Sequence, residues 1–485
     1  MHAYKIAVFG FNSHTTALQE EQQIEPNLAC CRIRLMAQTA DQRPPGLKAG
    51  VFGGHFFKYR GRPTEFLTKM ASLGDVSYMR LFGMPAYFLN HPDLARDLLI
   101  TNNSKFIKGP ALRRSHRLLG TGLLTSEGDF HLRQRRMIQP AFHRDRIAAY
   151  AETMVEESCR IRQEWRDGYV LDLDREMMRL TLRIVGKTLF SVDVDEEAEE
   201  VGRAMTDLLE AFNFMLLPFS EYLEMLPLPP ATRCKRAIDT LDKIIYGIIE
   251  DRRMEPSDEG DLLSMLLLAR DEDDGGVMTD KQVRDEAITL FVAGHETTAN
   301  ALTFTFYLLS QNPEAEKRLQ EEIESVLKGK RPSFEDLGRL RFAEAVLAES
   351  MRLFPPAWAI GRTSAEDLEI SGYTVPKGAL VLISPYVMHR DTRFWEDADK
   401  FRPERWEKRS VKEATRDFNY LPFSRGVRSC IGEGFAWTEG ILALAAIAQK
   451  WSFRLADGQK IGLNPVITLR PKYGMKMIAK RRNNN

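Results

Sequence analysis

Apolar residues recur every three to four positions along most of this chain, which is the spacing of amphipathic helices. Runs that alternate between apolar and polar residues, as half-buried strands do, are shorter and fewer. The pattern therefore predicts a mainly α protein with a small β part. The predicted helices cover residues 93–100, 129–166, 172–190, 195–216, 231–253, 260–270, 279–311, 313–328, 340–354 and 433–450. The predicted strands are 76–81 paired with 86–89, a second group of 368–370, 373–375 and 380–384, and short strands within 452–480.

The longest predicted helix, 279–311, has clear start and stop signals. Thr279 followed by Gln282 fits a capping box, and Pro313 ends the pattern. At 1.5 Å per residue this helix is about 50 Å long. A helix of that length crosses a whole domain, and residues in its middle lie in the core.

One domain accounts for most of the chain. Residues 1–43 are predicted to form an extension of uncertain structure, because Pro44, Pro45 and Gly46 mark a break after it. No later linker or repeat interrupts 44–485, which is predicted to be a single catalytic domain. No apolar run approaches the roughly 18 residues of a membrane span, so no transmembrane anchor is expected.

Charge and cysteine content narrow the class of protein further. The 485 residues include 68 Lys or Arg and 68 Asp or Glu, a balance that argues against a nucleic-acid partner. The five cysteines are few, odd in number and without zinc or iron–sulfur spacing. A reducing compartment, the cytoplasm, is therefore predicted.

Cys430 lies in the run Phe423-Ser-Arg-Gly-Val-Arg428-Ser-Cys430-Ile-Gly432. The glycines allow close backbone approach, Phe423 is placed to shield the sulfur, and Arg428 and the following helix start favour a thiolate. An isolated cysteine is more often simply a buried core residue. A single thiolate ligand, in contrast, is the ligation of haem iron in oxygen-activating enzymes.

This run resembles the haem-binding loop of the cytochrome P-450 family and matches it at every fixed position, Phe-x-x-Gly-x-Arg-x-Cys-x-Gly. The resemblance implies a soluble, bacterial-type member with the P-450 fold, in which the long helix crosses the haem. It also implies haem b as cofactor, with Cys430 as axial ligand of the iron and with Phe423 and Gly432 beside it.

The middle of the predicted long helix, Ala293-Gly294-His295-Glu296-Thr297-Thr298, is unusually polar for a core segment. Glycine destabilises a helix interior, and threonine bonding to the i−4 carbonyl bends it, so a local distortion is predicted here. Both polar side chains of Glu296 and Thr297 also fit contacts with a neighbouring helix or solvent. The stretch resembles the family's oxygen-activation motif, which implies that Glu296 and Thr297 deliver protons, with Ala293 against the haem.

The same resemblance assigns roles to two further sets of residues. Glu349 and Arg352 are three residues apart on one helix face. This spacing usually indicates an exposed ion pair, which contributes little to the stability of the protein. The resemblance joins them with Arg405 in a buried structural network.

His131 and Arg135 share a helix face and suit the two haem carboxylates, although a solvated basic face is the alternative. Arg428 and Arg362 are implied as further carboxylate partners.

Substrate contacts are implied at Val292, Ala293, Ala359 and Ile360, together with segments 106–124 and 212–230. The second segment is rich in aromatic, Met and Leu residues and is interrupted by prolines, which suits a mobile apolar lid or an ordinary core crossing. An apolar small molecule, such as a fatty acid, terpenoid or steroid-like compound, is therefore expected.

The leading functional prediction is a monomeric haem-thiolate monooxygenase that hydroxylates this substrate with O2. Its electrons are expected from NAD(P)H through a ferredoxin or flavodoxin and its reductase, docking near Arg133, Arg136 and Arg425, because no dinucleotide fingerprint or iron–sulfur cluster is present. A peroxide-driven haem-thiolate peroxygenase and a non-enzymatic haem sensor or electron carrier are the alternatives.

Overall fold

The structure is a computed structural model that describes residues 43–191, 201–204, 207–208, 228–254, 259–271 and 275–482. The predicted extension 1–43, apart from its last residue, lies outside these residues. So do most of the helix predicted at 195–216 and most of segment 212–230.

Helices form most of the described chain, as the apolar spacing predicts. They are Phe56–Gly61, Pro63–Ala71, Pro92–Arg96, Pro110–Leu119, Gly128–Ile138, Arg144–Ile161, Leu173–Phe190, Pro229–Met254, Leu262–Leu268, Asp280–Gln311, Pro313–Leu327, Arg341–Leu353, Pro385–Met388, Arg405–Lys408, Val411–Arg416 and Glu433–Ala448. The single helix predicted over 129–166 is instead divided by a 3-10 turn, Gln139–Phe142, because Pro140 has no amide hydrogen to donate.

The central helix, Asp280–Gln311, begins at the predicted capping box: Thr279 accepts from Gln282 N–H while the Gln282 side chain accepts from Thr279 N–H. It packs along Leu173–Phe190 and also contacts Arg341–Leu353 and Glu433–Ala448. The helix is continuous through Gly294. The local distortion expected there stays a prediction. A Cβ on Gly294 would lie 3.2 Å from Val185, which shows that this glycine serves close helix packing.

The strands of the described residues form four sheets. They are Val76–Leu81, Met84–Leu89, Phe106–Lys108, Val170–Asp172, Ile360–Ser364, Leu368–Ile370, Tyr373–Val375, Leu380–Ile383, Trp451–Leu455, Leu463–Pro465, Leu469–Pro471 and Lys476–Arg481.

The strand Leu380–Ile383 does not pair with 368–370 and 373–375, contrary to the predicted grouping. It lies in the five-stranded sheet, parallel to Met84–Leu89 and antiparallel to Ile360–Ser364. All four of its side chains are buried, as expected of a strand covered on both faces. Phe106–Lys108 closes the far edge of the same sheet against Ile360–Ser364.

Among the described residues, no helix is both long and apolar enough to cross a membrane.

Candidate functional site

Cys430 lies at the end of a tight loop, three residues before the helix Glu433–Ala448. The Cys430 amide donates to the carbonyl of Phe423 at 2.9 Å, and this bond closes the loop. Gly426 has φ +82°, and a Cβ there would lie 2.3 Å from the carbonyl oxygen of Leu99. The loop therefore requires glycine at 426, both for its backbone conformation and for its packing.

Burial raises the pKa of the Cys430 thiol to about 11, while the Gly432 backbone amide and the nearby Arg135 act in the opposite direction. Cys430 nevertheless keeps exposed surface. A metal cation deprotonates a thiol that coordinates it, whatever the thiol's pKa in its absence. An exposed cysteine in this loop can therefore serve as a thiolate ligand.

The loop is held by Arg135, which lies on the helix Gly128–Ile138, and by Arg428 within the loop itself. Arg135 Nη1 donates to the carbonyl of Ser429 at 2.8 Å. Arg428 forms an ion pair with Glu127, which also accepts from the backbone amide of Lys108. These contacts connect the residues just before Cys430 to the edge strand Phe106–Lys108.

Lys108 and Arg362 are directly opposite each other on antiparallel strands. Both side chains are buried, and like charges placed opposite one another destabilise a sheet. Lys108 Nζ donates to the carbonyls of Leu123, at 2.8 Å, and Ser126. Burial, and then the charges of Arg428 and Arg362, lower the pKa of Lys108 to about 7, against the opposing effect of Glu127.

Burial and the nearby cations also lower the pKa values of His131 and Arg362. Burial first, then Lys108, Arg428 and Arg135, lower the pKa of the buried His131 to about 4, so its imidazole is neutral. Burial and Arg428 lower the pKa of Arg362 to about 10, and its Nε has no hydrogen-bond partner.

These buried cations have fewer carboxylate partners than their charge requires. Among the described residues, Arg428 alone of these cations forms an ion pair, with Glu127, which otherwise accepts from the backbone amide of Lys108. Arg362 donates from Nη1 to the Gly361 carbonyl at 3.0 Å, but its buried Nε has no hydrogen-bond partner, and an unsatisfied buried polar group is costly. A flat cofactor that binds one thiolate and carries two carboxylates fits Cys430 and the cations around it. Cys430 supplies the thiolate, and the cations bind the carboxylates. Haem has both features.

On the central helix, one face is open in an otherwise buried element. Ala293 is exposed and Thr297, one turn later, is half-buried, whereas Val292 and Glu296 beside them are buried. The Thr297 hydroxyl donates to the Ala293 carbonyl at 2.8 Å. Exposure at the centre of a core helix means that this face borders an internal space. The threonine hydroxyl is the polar group on that face.

Glu296 points to a different set of partners. Its Oε1 accepts from the hydroxyl of Thr468 and from Nε of Arg470, and Oε2 has no partner. Asn300 donates to the same Thr468 at 3.2 Å. The acid is thus held by the C-terminal hairpin formed by Leu463–Pro465 and Leu469–Pro471.

Glu349 is fully buried at the centre of a network of hydrogen bonds. Its two oxygens accept from Nε and Nη2 of Arg352 and from Nε of Arg405, all at 2.9 Å. They also accept from the Trp406 indole at 3.0 Å and the Arg402 amide at 2.9 Å. Every hydrogen bond the carboxylate needs is therefore made.

The network reaches the cysteine loop through His389. Arg352 donates to the His389 carbonyl at 2.7 Å, and the His389 ring accepts from the Leu421 amide at 2.8 Å. Leu421 comes two residues before Phe423, so the buried ion pairs support the chain that leads into the loop. Phe423 in turn packs on Trp437, with ring centroids 5.7 Å apart.

The predicted substrate contacts lie on the central helix and on the segment around the start of the strand Ile360–Ser364. Val292 and Ile360 are buried, and Ala359 is half-buried. Trp358 orders this segment, since its indole donates to Val466 at 3.0 Å and its carbonyl accepts from Ser384 at 2.7 Å. The surface contributed by these residues is apolar.

On the predicted basic face, Arg133 and Arg136 both pair with Asp271, at 3.6 and 3.3 Å. Asp271 therefore offsets part of the positive charge on this face.

Sequence reasoning missed Lys108, Glu127, Thr468 and Arg470. Lys108 and Glu127 had no motif around them, and their role depends on a strand pairing with residues about 250 positions away. Thr468 and Arg470 lie in a short hairpin whose contact with Glu296 is equally remote in sequence. No signal in the local pattern marks any of the four.

Sequence comparison identifies known proteins that resemble this chain. The sequence model of the family described as cytochrome P450 matches residues 44–477. Cyclooctatin synthase of Streptomyces melanosporofaciens is 39% identical over 418 residues, covering 86% of this chain and 91% of that protein. Cyclooctat-9-en-7-ol 5-monooxygenase of the same organism is 39% identical, covering 84% of this chain and 88% of that protein. Pentalenene oxygenase of Streptomyces avermitilis is 37% identical, covering 82% and 88% respectively.

Proposed function

The chain belongs to the cytochrome P450 family, and from this premise we propose that it hydroxylates a cyclic terpenoid. Family membership makes the protein a monooxygenase with haem as cofactor, which agrees with the predictions of fold, activity and cofactor made from the sequence. Bound haem supplies the activation of O2, with electrons that derive from NAD(P)H through partner proteins.

The observation that carries the proposed substrate is the extent of the likeness to two relatives. They are named for oxygenation of cyclooctat-9-en-7-ol and of pentalenene, and each aligns over more than four-fifths of both chains. The alignment is long enough to include the central helix and the segment around Ala359. The apolar surface of that segment suits a molecule that offers few hydrogen bonds.

In this proposal the residues have separate roles. Cys430 binds the iron, and His131, Arg135, Arg362 and Arg428 hold the haem carboxylates. Phe423 and Gly432 lie beside the sulfur, and Ala293 lies against the haem. Val292, Ala293, Ala359 and Ile360 contact the substrate.

Thr297 and Glu296 would handle protons in different places. The Thr297 hydroxyl lies on the open face and can pass a proton to a group bound there. Glu296 is bonded to Arg470, which is partly exposed, so this pair lies between the core and solvent. A proton that enters at the Arg470 side therefore needs a change in the Glu296 contacts to reach the open face.

Spectral titration of the haem-loaded protein tests the substrate class. A cyclic terpene hydrocarbon and a cyclic terpene alcohol are expected to shift the Soret band from low to high spin, whereas a straight-chain fatty acid and a steroid are not. A shift with the fatty acid alone would exclude the terpenoid.

A pair of matched variants locates the binding surface. Ala359→Phe is expected to weaken the terpene titration about tenfold or more by filling space. Ala365→Phe, about 20 Å further along the strand direction, is the control and is expected to leave it unchanged. Equal effects of the two substitutions would remove Ala359 from the substrate surface.

For the electron supply we propose a ferredoxin or flavodoxin that docks on the face containing Arg133, Arg136 and Arg425. Charge reversal at Arg425 is expected to slow electron transfer at low salt more than at high salt. Full turnover with hydrogen peroxide alone, without NAD(P)H and partners, would instead favour a peroxygenase. We also propose a monomer located in the cytoplasm, consistent with the few cysteines.

A further inference from the structure

Four aromatic rings cluster on the outside of the protein near the start of the described chain. Phe82 lies 4.6 Å from Phe56, 5.7 Å from Phe57 and 5.8 Å from Phe52, measured between ring centroids. Phe52 is 75% exposed, Phe57 57% and Phe82 37%, and the adjacent Val51 is fully exposed. Clustered apolar exposure of this kind marks an interaction site more often than scattered exposed residues do.

The cluster is assembled from the tips of two turns. Phe82 and Gly83 form the two-residue turn between Val76–Leu81 and Met84–Leu89, and both have positive φ, 46° and 86°. Such a turn strongly favours Asn or Gly at its first position, and a bulky residue in this conformation is an outlier. The chain thus keeps a phenylalanine where the backbone favours a small polar residue, and a role for the side chain explains the choice.

The second turn, Val51 to Gly54, is held rigidly beside the first. Phe82 donates from its amide to the Gly53 carbonyl at 3.2 Å. The buried His55 ring accepts from the Arg80 amide at 3.0 Å and bonds the Leu47 carbonyl at 2.7 Å. The exposed rings therefore project from a fixed base.

The charge around these rings has one dominant sign. Between residues 43 and 83 there are seven Lys or Arg and two Asp or Glu, although the whole chain is balanced. Lys48, Lys58 and Arg80 are exposed, and the Lys58 ammonium bonds the Lys48 carbonyl beside the aromatic turn. Apolar tips surrounded by cations complement an anionic lipid surface, since rings enter the interface while cations meet the head groups.

We propose that this aromatic surface, formed by Val51, Phe52, Phe56, Phe57 and Phe82, binds the protein peripherally to membranes that contain anionic lipid. Protruding turn tips suit a deformable bilayer better than a rigid protein, whose stable interfaces bury about 800 Å² on each partner. The proposal is independent of the proposed substrate, and either one can fail without the other.

Co-sedimentation of the full-length, haem-loaded protein with vesicles tests the proposal. Binding is expected to be about tenfold or more stronger with phosphatidylcholine plus phosphatidylglycerol than with phosphatidylcholine alone. Added salt is expected to weaken it. Lys58→Gln is expected to reduce binding roughly fivefold.

The double variant Phe52→Ser, Phe82→Asn removes two rings and is expected to reduce vesicle binding about tenfold or more. Asn suits the Phe82 backbone better than Phe does, so the turn is retained, and an unchanged reduced-CO spectrum checks the haem site. Tyr169→Ser is the matched control, because Tyr169 is 60% exposed elsewhere and should not affect binding.

Three results would overturn the proposal. They are absence of vesicle binding, binding that the double variant leaves intact, and equal binding to neutral and anionic vesicles. Self-association of the wild type that the double variant abolishes, without vesicle binding, would assign the surface to a second copy of the chain instead.

Discussion

Replacing Glu349 with glutamine removes one charge from the buried network and changes little else in size. The carboxylate accepts from Arg352, Arg405, Arg402 and Trp406. A glutamine has one carbonyl oxygen, and in either orientation its amide nitrogen faces at least two of these donors. The substitution therefore leaves buried donors without acceptors and the Arg352 guanidinium without a counter-charge.

Removing one partner of a buried ion pair costs about 3–5 kcal/mol, far more than the half kilocalorie of an exposed pair. Glu349 and Arg352 are both completely buried, so the larger figure applies. With roughly 440 residues unfolding together, the entropy of unfolding is near 1 kcal/mol per kelvin. Glu349→Gln is therefore expected to lower the Tm by about 3–5 K.

Thermal unfolding of the haem-loaded protein, followed by circular dichroism at a fixed scan rate, measures this effect. Glu344→Gln is the control, because Glu344 lies exposed on the same helix and its substitution is expected to cost within about 0.5 kcal/mol. If both variants melt at the wild-type temperature, the network contributes no more than a surface pair, and the argument from burial is refuted.

Two further predictions concern the site, and a third concerns the dependence of stability on pH. Thr297→Ala is expected to raise the hydrogen peroxide released per NAD(P)H consumed several-fold at unchanged haem content, and unchanged coupling would exclude Thr297 from proton delivery. Arg362→Gln is expected to speed haem transfer to apomyoglobin, because it removes a buried cation proposed to hold a haem carboxylate; a wild-type transfer rate would count against that contact. Burial, and then Asp172, raise the pKa of Asp174 to about 6 in the folded state. The folded protein therefore binds the extra proton between about pH 4 and 6, and stability from this group is lost as the pH rises through that window. Asp174→Asn is expected to remove this loss, so Tm profiles of the two proteins that stay parallel from pH 4 to 7 would show that Asp174 titrates normally.

Local signals were sufficient where the contacts themselves are local. The central helix begins at the capping box of Thr279 and Gln282 and ends before Pro313, as predicted, because caps and proline act within one turn. The Cys430 loop was recognisable because its glycine, arginine and cysteine are fixed by spacing within ten residues.

Contacts between distant parts of the chain could not be predicted from local sequence patterns. The strand Ile360–Ser364 contains Gly361, Arg362 and Thr363 and alternates poorly, yet its neighbours on both sides make it a central strand. Leu380–Ile383 looked like the partner of the hairpin just before it, but complete burial places it in the larger sheet. Glu296 likewise depends on Arg470, and nothing near either residue indicates the contact.

The like-charged pair of Lys108 and Arg362 makes the edge of the five-stranded sheet depend on what binds there. Phe106–Lys108 is three residues long and has one neighbouring strand, so that strand, Glu127 and the carbonyls of Leu123 and Ser126 are what hold it beside Arg362. Whatever anion binds between them adds its binding free energy to the stability of that edge. Amide hydrogens of this strand should exchange with solvent faster in the haem-free protein than in the holoprotein. In the cell, newly made chains would then be more open to proteases at this edge before they acquire haem than afterwards.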